Sequence, residues 1–185
     1  MFRRLLERIA KALNEAEIPY MVIGGQAVLL YGEPRLTKDI DITLGVDAEG
    51  LGKVKAIVEE LRLRILVSDP EGFVKKAMVL PVMDDESGIR VDFIFSFSSY
   101  EKQAIERAIE VKFGEIGVRF AALEDVIIHK IVAGRDRDIE DVKVLLLKNP
   151  DYDEGYIRRW LNEFDRSLGE KFSRTFERLT EELAR

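Results

Sequence analysis

A mixed α/β (α+β) core followed by a helical C-terminal region is what this sequence predicts, and three observations carry that expectation. Between residues 20 and 121, short apolar runs of strand length alternate with turns rich in Gly, Pro and Asp. Segments with apolar residues three and four apart are interleaved with those runs. From Leu123 onward the pattern is helical to the end, with breaks at Gly134, Asn149-Pro150 and Gly169. The expected organisation is an α/β core over residues 1–121 and a helical region over residues 122–185 that packs on it.

Residues 2–16 set Leu5, Ile9 and Leu13 on one face among Arg and Glu, which predicts a helix ended by Pro19. Tyr20 to Ile23 reads as a short strand, Gly24-Gly25 breaks it, and Gln26 to Tyr31 reads as a buried helix. Gly32 to Arg35 is a turn. Asp39 to Leu44 alternates, with Asp39, Asp41 and Thr43 on one side and Ile40, Ile42 and Leu44 on the other; this period of two predicts a strand. Residues 48–61 form a further helix, Arg64 to Val67 a strand, and 70–77 a short helix. Met78–Met83 and Ile89–Ser96, joined by a polar turn, predict a hairpin. Residues 99–109 read as a helix. Val111–Phe113 and Val118–Phe120 flank Gly114 to Gly117 as a second hairpin.

Composition narrows the chemistry. Apolar residues make up 46% of the 185 residues, enough for a packed core. There is no cysteine, which excludes disulfides, zinc-thiolate sites, iron–sulfur clusters and thiol nucleophiles. The single histidine, His129, excludes a multi-histidine metal site within one chain and is expected at the surface or satisfied. A net charge of −6 argues against a non-specific nucleic-acid coat. Catalysis must therefore rest on carboxylates, Lys, Arg, hydroxyls and backbone amides. The N-terminus reads as an amphipathic helix and not a signal peptide. No apolar run approaches the ~20 residues of a membrane span, so a soluble, cytoplasmic protein is expected. Scarce Asn and Gln beside abundant Glu, Lys and Arg resembles thermophile usage.

Asp39 and Asp41 lie two apart on a predicted strand, so their carboxylates share a side of the sheet. Two like charges there are unfavourable unless something positive lies between them. Hard oxygen ligands suit Mg²⁺ or Mn²⁺, which is held by one or two carboxylates together with substrate phosphates. Asp92 stands in the otherwise apolar run Arg90 to Phe95, and burying it requires a partner or a metal; the plain alternative is a pair with Arg90 or Arg64. If the two strands are neighbours, three carboxylates converge as in a two-metal phosphoryl-transfer site. Gly24-Gly25, between a strand and a helix, would let backbone amides approach a phosphate at a helix N-terminus.

The ordered features Val22-Ile23-Gly24-Gly25 and Asp39-Ile40-Asp41-Ile42 resemble the signature of the DNA polymerase β-like nucleotidyltransferase superfamily. The text Arg35 to Asp41, together with Leu123 to Lys130 and Gly134 to Val142, is similar to the nucleotidyltransferase toxins of abortive-infection toxin–antitoxin systems and their relatives. These segments cover most of residues 20–145. The resemblance implies a mixed-sheet nucleotidyltransferase core with flanking helices. It implies transfer of a nucleoside monophosphate from a nucleoside triphosphate (ATP or another) to an acceptor hydroxyl, with pyrophosphate released. Gly24 and Gly25 would contact the triphosphate, Asp39 and Asp41 would bind metal, and Asp92 would be the third carboxylate, as base or metal-linked activator. Arg35 and Thr37 would contact phosphate or acceptor. Many members carry Ser where this chain has Gly25, so a backbone amide would replace a hydroxyl contact. Lys130 either snorkels off an apolar helix face or, as the resemblance suggests, reaches the triphosphate.

Asp138 and Asp141 share a helix face and are expected to form a solvated ion-pair lattice with Arg135 and Arg137. Tyr156, Trp160 and Phe164 recur four apart as a line of aromatic rings suited to packing, and such a line would allow a homodimer. The acceptor is open between a protein side chain, a tRNA 3′ end and a small molecule. The competing expectation is a non-catalytic nucleotide-binding or regulatory member of a toxin–antitoxin-like pair, which the intact Asp39, Asp41 and Asp92 disfavour.

Overall fold

In the computed structural model, which describes residues 2–33 and 39–184, helix α1 (Phe2–Glu15) buries Leu5, Leu6, Ile9, Ala10, Ala12 and Leu13 and exposes Arg3, Arg4, Arg8, Lys11 and Glu15. Strand β1 (Tyr20–Ile23) leads directly into α2 (Gly24–Tyr31). Strand β2 (Asp39–Leu44) precedes α3 (Leu51–Glu60), β3 (Arg64–Ile65), α4 (Pro70–Ala77), β4 (Val79–Asp84) and β5 (Ile89–Phe95). Then come α5 (Ser99–Arg107), β6 (Ile109–Phe113), β7 (Ile116–Phe120), α6 (Leu123–Ala133), α7 (Asp136–Lys148), α8 (Glu154–Leu168) and α9 (Phe172–Leu183).

Local chemistry sets the helix ends. The Asp69 carboxylate caps α4 by accepting from the Gly72 N–H at 3.0 Å, and Pro70 starts the helix. Ser98 and Glu101 form a reciprocal capping box on α5. The Asp153 carboxylate accepts from Tyr156 N–H at 2.9 Å to start α8. Asp165, on α8, accepts from Phe172 N–H at 2.6 Å and so caps the next helix, α9. Gly134 ends α6 at φ +64°, the left-handed conformation that favours glycine.

The described strands form one mixed sheet in the order β3-β4-β5-β2-β1-β7-β6. β2 lies antiparallel to β1 and parallel to β5. Alternation does what it predicts: Ile40 and Ile42 on β2 and Val91 and Phe93 on β5 are completely buried on one face, each contributing about 1.5–3 kcal/mol of burial. The opposite face of the same two strands carries the acids.

Several boundaries differ from expectation. α2 begins at Gly24 rather than near Gln26, so the glycine pair opens the helix instead of forming a separate turn. β3 stops at Ile65. The second hairpin is longer, with Phe113 paired to Ile116, because Gly114 at φ +60° allows a two-residue turn.

The chain divides into two compact units, Met1–Gln26 with Leu36–Ala121, and Ala27–Arg35 with Ala122–Arg185. The first holds the sheet. The second is helical; within it the Asn149 side chain donates to Tyr31 O at 3.0 Å and Lys148 pairs with Glu33. Its core comprises Ile127, Ile128, Val142, Leu145, Ile157, Leu161 and Phe176, all completely buried. Among the described residues no helix is long and apolar enough to cross a membrane.

Candidate active site

Parallel pairing of β2 with β5 sets Asp39 beside Arg90 and Asp41 beside Asp92. Residues side by side on neighbouring strands point to one face, and the strands lie about 4.8 Å apart. Asp39, Asp41, Arg90 and Asp92 therefore share a face, opposite the buried Ile40, Ile42, Val91 and Phe93. Asp39 is exposed, and Asp41 and Asp92 are half-buried.

On the other side of β2, Ile23 of β1 pairs with Asp41. The next residue, Gly24, lies against the Asp41 carboxylate: a Cβ there would stand 2.1 Å from Asp41 Oδ2 and 3.0 Å from its Cγ. Gly24 also has φ +64°. Two independent constraints thus demand glycine, one of space and one of backbone conformation. Gly24 and Gly25 open α2, and the first N–H groups of an α-helix have no partner within it. The strand-to-helix turn therefore brings anion-binding amides next to an acid-bearing strand.

Among the described residues, Arg90 supplies a cation to this face. Its Nε donates to Asp92 Oδ1 at 2.8 Å, with the Asp92 side chain 18% exposed and that of Arg90 49%. The hydrogen bond to Asp92 pushes the guanidinium further up from its ordinary pKa; burial opposes it, and the charges of Asp92, Asp39 and Asp41 add smaller upward pushes. Among the described residues the face therefore carries Asp39, Asp41 and Asp92 with Arg90, whose guanidinium is a permanent cation.

Among the described residues no group of three or more acids or histidines is gathered tightly enough to form a ready-made metal cage. The chemistry still fits a hard divalent cation. Mg²⁺ rarely takes an all-protein cage and is commonly held by one or two carboxylates plus substrate phosphates. Asp41 and Asp92 at one register level, with Gly24 leaving room at Asp41 Oδ2, supply such a half-shell.

Other expected site residues fall elsewhere. Arg35 and Thr37 lie outside the described residues. Lys130, on α6, is buried: its Nζ lies 2.7 Å from Asp138 Oδ1 and 3.0 Å from Asp141 Oδ2, both on α7. It does not snorkel. Asp138 and Asp141 are correspondingly buried, which corrects the expected solvated lattice, although Arg135 does pair with Asp138 at 2.6 Å. Burial pushes the Asp138 carboxyl up, but hydrogen bonds from Arg135 and Lys130 more than offset this and hold it below its ordinary range. The break at Gly134 folds α7 back onto α6 and turns residues eight and eleven positions apart into neighbours.

Asp125, completely buried, is a further polar core residue that no short-range pattern singles out; it accepts from the Tyr156 hydroxyl at 2.8 Å. Trp160 and Phe164 form a tilted ring pair, and Arg159 lies over Tyr156 and Trp160. The pairing of Arg90 with Asp92 was readable, since a residue two positions away on a strand shares its face.

Several solved structures share this fold. The antibiotic-resistance factor ANT(2'')-Ia matches at 20% identity with a TM-score of 0.62, over 90% of this chain and 94% of its own. The lincosamide antibiotic adenylyltransferase LnuA matches at 19% identity and TM-score 0.54, over 77% of this chain and 94% of its own. A putative nucleotidyltransferase from Thermotoga maritima matches at 19% identity and TM-score 0.52, over 88% and 93%. No curated protein matches in sequence. The decisive match is to the family described as nucleotidyltransferases of unknown function (DUF6036), whose model covers residues 1–165. The chain belongs to that family and is a nucleotidyltransferase.

Proposed function

We propose that the chain transfers a nucleoside monophosphate from a nucleoside triphosphate to an acceptor hydroxyl, with Asp39, Asp41 and Asp92 as its catalytic carboxylates. One observation carries the reading: Asp41 and Asp92 stand at one level on adjacent parallel strands, with the glycine that opens α2 pressed against Asp41. A bound Mg²⁺ or Mn²⁺ supplies neutralisation of the triphosphate and acidification of the acceptor hydroxyl. Asp39, Asp41 and Asp92 would hold the cation. The amides of Gly24 and Gly25 bind phosphate oxygens, an arrangement in which Gly25 needs no hydroxyl. Asp92 takes the acceptor's proton as its oxygen bonds to the α-phosphorus, while the α–β phosphoanhydride breaks and pyrophosphate leaves. Arg35 and Thr37, just before β2 in the sequence, complete the contacts to phosphate or acceptor. Lys130 is assigned to a buried ion-pair cluster in preference to the triphosphate, because two carboxylates already engage its ammonium.

A small-molecule acceptor is the favoured class. ANT(2'')-Ia has been solved with adenylyl-2''-tobramycin and LnuA with lincomycin, and both share this fold. A protein side chain or a tRNA 3′ end are the alternatives. The test is incubation with Mg²⁺, each α-labelled triphosphate and a cell extract, followed by separation of protein, RNA and small molecules. Label should appear in the small-molecule fraction and vanish when Asp39→Asn and Asp41→Asn are combined. Transfer that survives this double substitution would sink the assignment.

A further inference from the structure

We propose that Arg90 is a built-in competitor for the divalent cation: its guanidinium engages the Asp92 carboxylate and sets the cation concentration at which the site fills. The inference rests on the carboxylate assignment above and adds a role for a residue outside it.

Four observations support it. Arg90 lies beside Asp39 in the β2–β5 register and two residues before Asp92 on the same strand face. Its Nε is 2.8 Å from Asp92 Oδ1, which takes up one of the oxygens a cation would use. The carboxylates of Asp39 and Asp41 also act on it, so its charge is directed at the whole cluster. Finally, its side chain is half exposed, so the guanidinium can swing into solvent without stranding a buried charge.

A guanidinium cannot lose its proton at working pH. It therefore opposes a second cation throughout the working pH range, by direct repulsion and by holding Asp92. The hydrogen bond is charge-assisted but partly solvated, so its net worth is modest. That suits a competitor: strong enough to hold Asp92 in place when no cation is bound, weak enough to yield to a divalent ion arriving with a triphosphate. Arg90 is thus a positioning residue for Asp92, and its removal should raise cation affinity rather than lower it.

The test is Mn²⁺ binding to the intact protein, read by the electron paramagnetic resonance of free Mn²⁺, for the unaltered protein and for R90M, R90K and D41N. Arg90→Met keeps the length of the side chain and removes its charge; Mn²⁺ should bind roughly three- to tenfold more tightly. Arg90→Lys restores a cation at the same place and should return affinity to within about twofold of the unaltered protein. Local damage to the strand would weaken both variants, so opposite behaviour of Met and Lys is the signature of charge competition. Equal or weaker binding by R90M, in a protein whose Mn²⁺ binding still depends on Asp41, overturns the role of Arg90 and leaves the carboxylate site standing. Binding that D41N does not diminish, or no binding by any of the four proteins, overturns the site and the competitor together.

Discussion

Two clusters of acids and bases lie in this chain, and their contrast separates the proposed active site from a brace. On the sheet, Asp39, Asp41 and Asp92 face Arg90 across half-exposed ground. Between α6 and α7, Asp138 and Asp141 close on Lys130 in a nearly dry interior, with Arg135 adding a second cation to Asp138. The buried cluster balances two acids with two bases, because an uncompensated charge there would be very costly. Among the described residues the sheet cluster sets three carboxylates around Arg90, on a face that water reaches. Excess negative charge that is exposed, and aimed beside helix N–H groups, is what a cation–triphosphate complex needs. Balanced charge that is buried instead fixes how two helices meet.

The contrast can be broken first at the sheet. Asp41→Asn should reduce nucleotidyl transfer by about a thousandfold or more while changing stability by less than about 1 kcal/mol, measured by label transfer and by urea unfolding. Removing one like charge could even stabilise the strand slightly.

At the buried cluster the outcome should reverse. Lys130→Met leaves two buried carboxylates short of a partner and should lower unfolding free energy by about 3–5 kcal/mol. Adding Asp138→Asn and Asp141→Asn to it should recover a large part of that loss, since the stranded charges go with them. A K130M protein as stable as the parent, yet unable to bind triphosphate, would instead place Lys130 at the nucleotide.

Gly24→Ala tests the joint between glycine turn and acid. The new methyl must displace the Asp41 carboxylate, and the residue must hold φ +64°. Stability should fall by about 1–3 kcal/mol, with at least a tenfold drop in transfer, as a misplaced catalytic group gives.

The smallest effect is in the acid limb. Asp138 is held below its ordinary pKa in the fold. The stability it contributes is complete above the unfolded value of about 4 and drains away as pH falls through the lowered folded value. Urea midpoints measured from pH 5 down to pH 2.5 should fall less steeply for Asp138→Asn, whereas Asp85→Asn, at a fully exposed pair with Arg64, should leave the slope nearly unchanged.

Much of the site was legible because it rests on two short-range rules. Period two puts Asp39 with Asp41, and Arg90 with Asp92, on one face; a glycine pair after an apolar strand announces a close approach. What residue order could not supply was the partner of each face. That Asp41 stands level with Asp92 follows from β2–β5 pairing across fifty residues. That Gly24 meets Asp41, rather than only turning the chain, follows from β1 lying antiparallel on the other side of β2. The buried Lys130 cluster escaped for the same reason: a charge-rich stretch after a glycine looks solvated until the turn at Gly134 is known to fold it inward.

By itself, then, the sequence determined the element types, the absence of thiol and multi-histidine chemistry, and the short list of acids, because these depend on composition and on neighbours a few residues away. Only the tertiary structure decided which acids stand together, which cation each set faces, and which set stays wet. Those outcomes depend on strand order, register and burial, where residues distant in the chain share one local field and one supply of water.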